Sequence, residues 1–320
     1  KMGVTANTNE TYDVTTIRED LQDALVSISP TETPVMSAIG RKNVNNTYFE
    51  WGVVDLAAAG DNRVIEGEAA PGNDAPTNAV RQAGYTQISD KVVEVSDTAN
   101  SVKGAADAQT TAKQIAYKLK ELKRDMEKML CDNVAASAGA SGTARQTAGL
   151  PAYLRTNADR ASDGADGTTS GSGTAGFINA AATDGTQRTL TETLFKSVIA
   201  NCWTAGAEPS VVICGSAQKQ LISAFTGNAT KFKDITDGKL TTAIDIYVSD
   251  FGELQIVPSR LSRARDVLVL DPNYARVAYL SPTSQKELAR TGHAERRLIS
   301  VEYGLQVDNE AAHGVVADVS

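Results

Sequence analysis

The apolar positions change their period several times along the chain, and each change marks an element. Thr16 and Glu19 form a T-x-x-E capping box, and Ile17, Leu21, Ala24, Leu25 and Ile28 follow at helical spacing until Pro30, predicting a first helix over 16–28. In TPVMSAIG, Thr33 as N-cap, Pro34 at the first helical position and Gly40 as the stop predict a second helix of little more than one turn. From Asn46 to about Val102 the period shifts toward two: YFEWGVV and YTQISDKVVEVS alternate as strands around a middle rich in Ala, Gly and polar residues. This predicts a hairpin arm whose sides, each up to about 20 residues, reach on the order of 60 Å. Two strands alone are marginal in water. Val64, Ile65 and their neighbours therefore need a surface the arm does not carry, and a second subunit is the economical source.

A helical stripe returns over about 108–137, where Ile115, Leu119, Leu122, Met126, Met129 and Val134 share one face. The other faces carry Lys118, Lys120, Glu121, Lys123, Arg124, Asp125, Glu127 and Lys128, the pattern of a long strut with one buried side and a solvated remainder. The stretch 157–189 is low in complexity and is expected to be a flexible surface loop that buries almost nothing. Beyond it the pattern is denser: a helical LTETLFKSVIANCW, a strand PSVVICG and a helix SAQKQLISAF. IDIYVSDFGELQIVP and DVLVLDPNYARVAYL read as hairpin-like pairs, turning at Asp250 to Glu253 and Asp271 to Tyr274, and the alternating strands RRLISVEYGLQVDN and HGVVADV close the chain. The class is α+β.

Composition narrows the function. With 320 residues, 41% hydrophobic and 22% charged, the chain has the balance of an ordinary globular protein of one large domain or two modest ones. A net charge of -8 speaks against broad gripping of nucleic acid, and if DNA is enclosed the inner face is expected to repel it. Cys131, Cys202 and Cys214 are odd in number and scattered, which suits small buried hydrophobes in a reducing compartment. The polar start has no secretory core and no run is long enough to span a bilayer, so a protein made in the cytosol, with no membrane partner, is expected. Lys1 precedes Met2, so an initiator is expected upstream.

Candidate chemistry is sparse. Gly171, Gly173 and Gly176 spell G-x-G-x-x-G, but no strand delivers them and no amphipathic helix follows, so a loop is the better reading than a dinucleotide cradle. P-loop, G-x-S-x-G, C-x-x-C and H-E-x-x-H signatures are all missing. His293 and His313 read as loop or sheet-edge residues, and acidic pairs such as Glu66 with Glu68, or the aspartates of DRASDGAD, read as solvated charge. No catalytic residue, cofactor or metal site is expected.

Taken in order, TYDVTTIREDLQDALVSISPTETPVMSAIGR, FEWGVVDL, RVIEGEAA, GYTQISDKVVEVS, KELKRDMEKMLC, TDGTQRTLTE, FTGNATKF, AIDIYVSDFGELQIVPSR, VLDPNYARVAYL and VEYGLQVDNEAAHGVVAD resemble major capsid proteins of tailed phages, many of them podophages. The most specific parts are S-P-T-E-T-P at Ser29 to Pro34, Y-V-S-D-F-G-E at Tyr247 to Glu253 and N-E-A-A at Asn309 to Ala312. The resemblance implies the Hong Kong-97-type capsid fold: an N-terminal arm over 1–44, an extended E-loop over 45–102, and a peripheral domain with spine helix over 103–189. An axial domain over 190–281 and return strands over 282–320 complete it. It also implies a subunit that assembles with itself into hexamers and pentamers of an icosahedral shell, in the virion, after assembly in the host cytoplasm. The implied partners are a portal, scaffold or cement proteins, and double-stranded DNA enclosed without sequence-specific binding.

Trp51, Arg63, Glu66, Glu68 and Arg81 are the residues expected at inter-subunit contacts. Some related phages weld their shells through a lysine on the E-loop; no lysine lies between Lys42 and Lys91, so a non-covalent shell is expected. Three readings compete: a bacterial nanocompartment shell of the same fold, a nucleotide-binding enzyme using the Gly-rich loop, and a β-rich tail or decoration protein.

Overall fold

The computed structural model describes residues 29–67, 69, 75–102, 110–225, 245–290 and 292–320. The expected helix over 16–28 and Glu68 lie outside them. A four-stranded sheet has the order β1-β12-β13-β4, with β1 Gly40–Asn43, β12 Ala275–Glu287, β13 Ala294–Val307 and β4 Gln87–Ser96. A six-stranded sheet has the order β5-β14-β11-β8-β10-β9, with β5 Ala158–Asp159, β14 Gly314–Val316, β11 Val267–Leu270, β8 Val211–Cys214, β10 Gly252–Pro258 and β9 Ile246–Ser249. The class is α+β, as the pattern predicts. Strands β11 and β12, expected to pair with each other, enter different sheets; the 3-10 turn Pro272–Tyr274 carries the chain from one to the other.

β13 organises the first sheet, pairing antiparallel with β12 on one side and with β4 on the other. The helix α3, Thr111–Cys131, packs against β4 and β13 through Leu122, Met126 and Leu130. Strong helix formers without Gly or Pro hold α3 together. Glu127, expected on its solvated side, is fully buried instead. Its carboxylate accepts the backbone N–H of Val35 at 2.7 Å and of Met36 at 2.9 Å. These belong to α1, Pro34–Ala38, whose N-cap Thr33 makes no side-chain cap bond, so a residue far along the chain supplies the acceptor. Burial raises the carboxyl above its ordinary range, and the two amides oppose that.

A second core joins α5, Glu192–Thr204, and α6, Ser216–Ser223, to the six-stranded sheet through Phe195, Val198, Ile222, Leu254 and Val269. Thr191 caps α5, and Gly206, at φ 92, ends it in the left-handed turn that glycine favours.

The low-complexity stretch is not the bare loop its composition suggests. Residues 168–180 fold into a small hairpin, β6 Thr168–Thr169 and β7 Ile178–Ala180, with Ile178 buried. Polar side chains replace the missing apolar ones. Asp163 accepts the amide of Thr186 at 2.8 Å, and the hydroxyl and amide of Thr186 hold its carboxyl below the usual carboxylate range. The buried Asp318 accepts the amides of Ala161 at 3.2 Å and Gly185 at 2.9 Å and the Arg265 guanidinium at 2.6 Å. Gly173 and Gly176, at φ 63 and 82, make the turn, and Gly176 exchanges backbone bonds with Arg81 and Ala83.

His313 is deeply buried rather than at an edge, and its Nδ1 accepts the amide of Asp271 at 3.1 Å. Burial pushes the imidazole below its ordinary value, against the opposing pull of Asp271, Glu310 and Asp308.

Both buried groups can be probed by stability. Glu127→Ala leaves two buried N–H groups unpaired and is expected to cost about 2–4 kcal/mol in denaturant unfolding, with Glu127→Gln intermediate because one acceptor survives; both variants unfolding like the parent chain would remove the clasp from the account. For His313 the folded state favours the neutral ring, so its contribution is full above about pH 6.5 and is lost as pH falls toward the depressed folded value. The melting temperature should drop on acidification below that point, and His313→Gln should flatten the drop; an unaltered pH profile in the variant would refute the assignment.

Candidate assembly surface

The arm is rooted by β2, Tyr48–Val53, and β3, Val80–Tyr85, paired antiparallel with Tyr48 opposite Tyr85 and Val53 opposite Val80. Phe49, Trp51 and Val53 alternate inward. Phe49 lies where a side chain on Gly84 or Gly304 would have to stand: a Cβ at either position would come within 2.9 Å of its ring. Two bare backbones thus let β13 and β3 close on one aromatic ring. Phe177 of the small hairpin meets the Tyr85 ring edge-on at 5.0 Å and braces the root.

Pairing stops at Val53 and Val80, far short of the long hairpin expected. Past Val53 the β-branched and aromatic residues that stabilise cross-strand pairs give way to LAAAGDN, and the described residues between the two strands form no strand and are exposed. They carry Leu56 at 84% exposure, Ile65 at 75%, Val64 at 62% and Val54 at 54%. Apolar side chains held this far into solvent make this segment a candidate contact surface.

Of the expected contact residues, Arg63 pairs with Asp61 and Glu66 stands exposed, both on this segment. Arg81 reaches across the root to Glu50 at 3.2 Å, both exposed. Trp51 faces inward at 9% exposure, its ring stacked on Phe49 at 5.8 Å in the chain's own core.

A second surface has no clear signal in the sequence. At the edge strand β9, Ile246 and Val248 project into solvent, and Phe251 at the following turn packs against the half-exposed Trp203 of α5 at 5.1 Å. Val248 and Phe251 border a groove of about 530 Å³ between α5 and the β9–β10 turn, in which Glu192 bonds Lys196 at 2.7 Å and accepts the Tyr247 hydroxyl at 3.4 Å. In the sequence Trp203 simply completes an amphipathic helix, so only its position opposite the turn reveals it as surface.

The groups that could carry covalent chemistry are committed elsewhere. All three cysteines are buried and unpaired, and burial pushes Cys214 up to about 11 and Cys202 up to about 12 and raises Cys131 as well, so none is a ready thiolate. The Gly-rich turn spends the amide of Gly176 on the carbonyl of Arg81. Asp159 pairs with Arg188, and Asp166 with Arg160 at 2.6 Å, so the DRASDGAD aspartates fasten their own loop. No cluster of three His, Cys, Asp or Glu residues suited to a metal occurs among the described residues.

Comparisons with known proteins agree with this arrangement. The chain is 24% identical to a major capsid protein of Escherichia phage Phieco32 over 328 residues, covering 90% of each. It superposes on a subunit of the cyanophage A-1(L) capsid with a TM-score of 0.68 at 12% identity, covering 97% of this chain and 98% of that one. An encapsulin, the SrpI complex of Synechococcus elongatus PCC 7942, gives 0.57 at 12% identity, covering 95% and 93%. A sequence model of the SU10 major capsid protein matches residues 4–320. The chain belongs to that family, and is a capsid shell subunit of the Hong Kong-97-type fold.

Proposed function

We propose that the segment between Val53 and Val80 lies across a neighbouring copy of this chain, and that copies joined in this way form the hexamers and pentamers of an icosahedral shell around double-stranded DNA. The observation that carries this reading is the exposure of Leu56, Val64 and Ile65 on a segment anchored at its root and unsupported beyond it. A firm body with an adaptable arm suits a chain that must occupy more than one symmetry environment. In this reading 1–44 is the N-terminal arm, 45–102 the E-loop, 103–189 the peripheral domain, 190–281 the axial domain and 282–320 the returning strands. Arg63, Glu66, Glu68 and Arg81 meet the neighbour, with Trp51 stiffening the root beneath them. The groove beside Trp203 and Phe251 meets another copy at the axial end. Assembly takes place in the host cytoplasm, a portal occupies one vertex, and scaffold or cement proteins join the shell.

A nanocompartment shell is the second reading, favoured by the likeness to the encapsulin. Purified particles that contain protein cargo and no nucleic acid would decide for it.

Val64→Ser with Ile65→Ser removes two apolar contacts, each contributing about 1.5–3 kcal/mol when fully buried. The double variant should fold with an unchanged melting temperature but fail to form closed shells in negative-stain electron microscopy; normal shells would show that the arm tip is not an assembly contact. With no lysine between Lys42 and Lys91, boiled shells should run as a single monomer band on a denaturing gel. A ladder of covalent multimers would reverse that expectation.

A further inference from the structure

The acidic residues of α3 are all engaged, and most of its cations are not. Glu121 pairs with Lys118 at 2.8 Å, Asp125 with Lys91 at 2.6 Å, and Glu127 is buried against α1. Lys113, Lys120, Lys123, Arg124 and Lys128 have no ion pair or hydrogen bond among the described residues, and the four lysines are exposed. Arg124 is half-buried, with its Nε unpartnered. Lys113, Lys120, Arg124 and Lys128 fall on one face, with the partly exposed ring of Tyr117 between the first two. The row ends at a cavity of about 300 Å³ lined by Lys128, Asp132, Arg260 and Arg263, where Arg263 is neutralised by Asp266 at 2.6 Å and by Asp184, and Arg260 is free among the described residues. A protein of net charge -8 thus carries a basic stripe along α3.

From this stripe we infer that the outward face of α3 is a sequence-independent contact for the phosphodiester backbone of DNA, a reading that rests on the capsid function above. Lys120, Arg124 and Lys128 recur every fourth residue, about 6 Å apart along the axis. That matches the roughly 6–7 Å between neighbouring phosphates on one strand, a 3.4 Å rise combined with the helical rotation. The stripe offers no short side chains to base edges and no recognition helix end, so it grips charge and reads no sequence. Net charge and local field differ here because Glu127 is buried and Glu121 and Asp125 are each paired with a lysine, leaving the remaining cations of α3 uncompensated. Repulsion by the rest of the subunit keeps each contact weak, which lets enclosed DNA slide during packing.

The test is fluorescence anisotropy of unassembled full-length protein with a random-sequence DNA duplex, titrated over a range of salt. The parent chain should bind, with log K falling linearly against log salt, and Lys120→Gln, Arg124→Gln and Lys128→Gln together should reduce that slope by about 2–3, near 0.9 for each phosphate no longer neutralised. A control triple, Lys42→Gln, Lys286→Gln and Arg290→Gln, changes the net charge equally and should leave most of the slope. Absent binding, equal loss in both triples, or an unaltered slope in the first triple would overturn the inference. Electron microscopy of the same preparations after assembly separates the two readings: closed shells without DNA binding defeat the phosphate contact alone, whereas failure of the parent chain to form shells defeats the capsid reading itself.

Discussion

Phe49 fits between β3 and β13 only because Gly84 and Gly304 present no Cβ, and the arrangement of the molecule depends on that close approach. It seats the root of the arm on the central strand of the four-stranded sheet. The opposite face of that sheet is covered by α3, which in turn holds α1 through Glu127. Arm, sheet, strut and N-terminal segment are thus stacked in one continuous core. The arm beyond its root and the edge strand β9 leave that stack with apolar side chains uncovered, which is why the proposed assembly contacts are placed there.

Charge follows the same logic of local commitment. The carboxylates of Glu127, Asp163 and Asp318 serve as acceptors for backbone amides that the surrounding sequence cannot satisfy. Glu127 and Asp318 are buried in this role, at a cost in desolvation that returns structural specificity, whereas Asp163 does it from the surface. The consequence is that the overall acidity of the chain is in part an interior property, and the surface of α3 is more basic than the composition implies.

Much of the fold is legible in the sequence where periodicity and punctuation agree. The Pro34 start of α1 and the alternation in β2 and β13 lie where they are expected, and so does the stripe of α3 from Ile115 to Met129; the helix stops at Cys131, so Val134 and the expected continuation to 137 fall outside it. Three features are not legible because they depend on partners distant in sequence. Glu127 reads as one more solvated charge, since the amides it caps belong to residues about ninety positions earlier. The stretch 157–189 reads as unstructured because its stabilisation comes from hydrogen bonds to Asp318 and the edge of β3 rather than from apolar burial. The strands β11 and β12 read as a hairpin because short connections usually join neighbours. Here the connection turns the chain out of one sheet into the other. At the candidate surface, the apolar residues of the arm that stand exposed are readable from its composition, whereas the corner of Trp203 and Phe251 exists only through tertiary packing.

The abrupt end of pairing at Val53 and Val80 also has a mechanical meaning. A pull on the described residues 54–67 travels along backbone that forms no strand until it reaches a ring wedged between two backbones. There compliance ends and load is delivered sideways into β13, across hydrogen bonds that share it among neighbouring strands. Strain arriving at the root is thus spread over the whole four-stranded sheet instead of being concentrated on one strand pair.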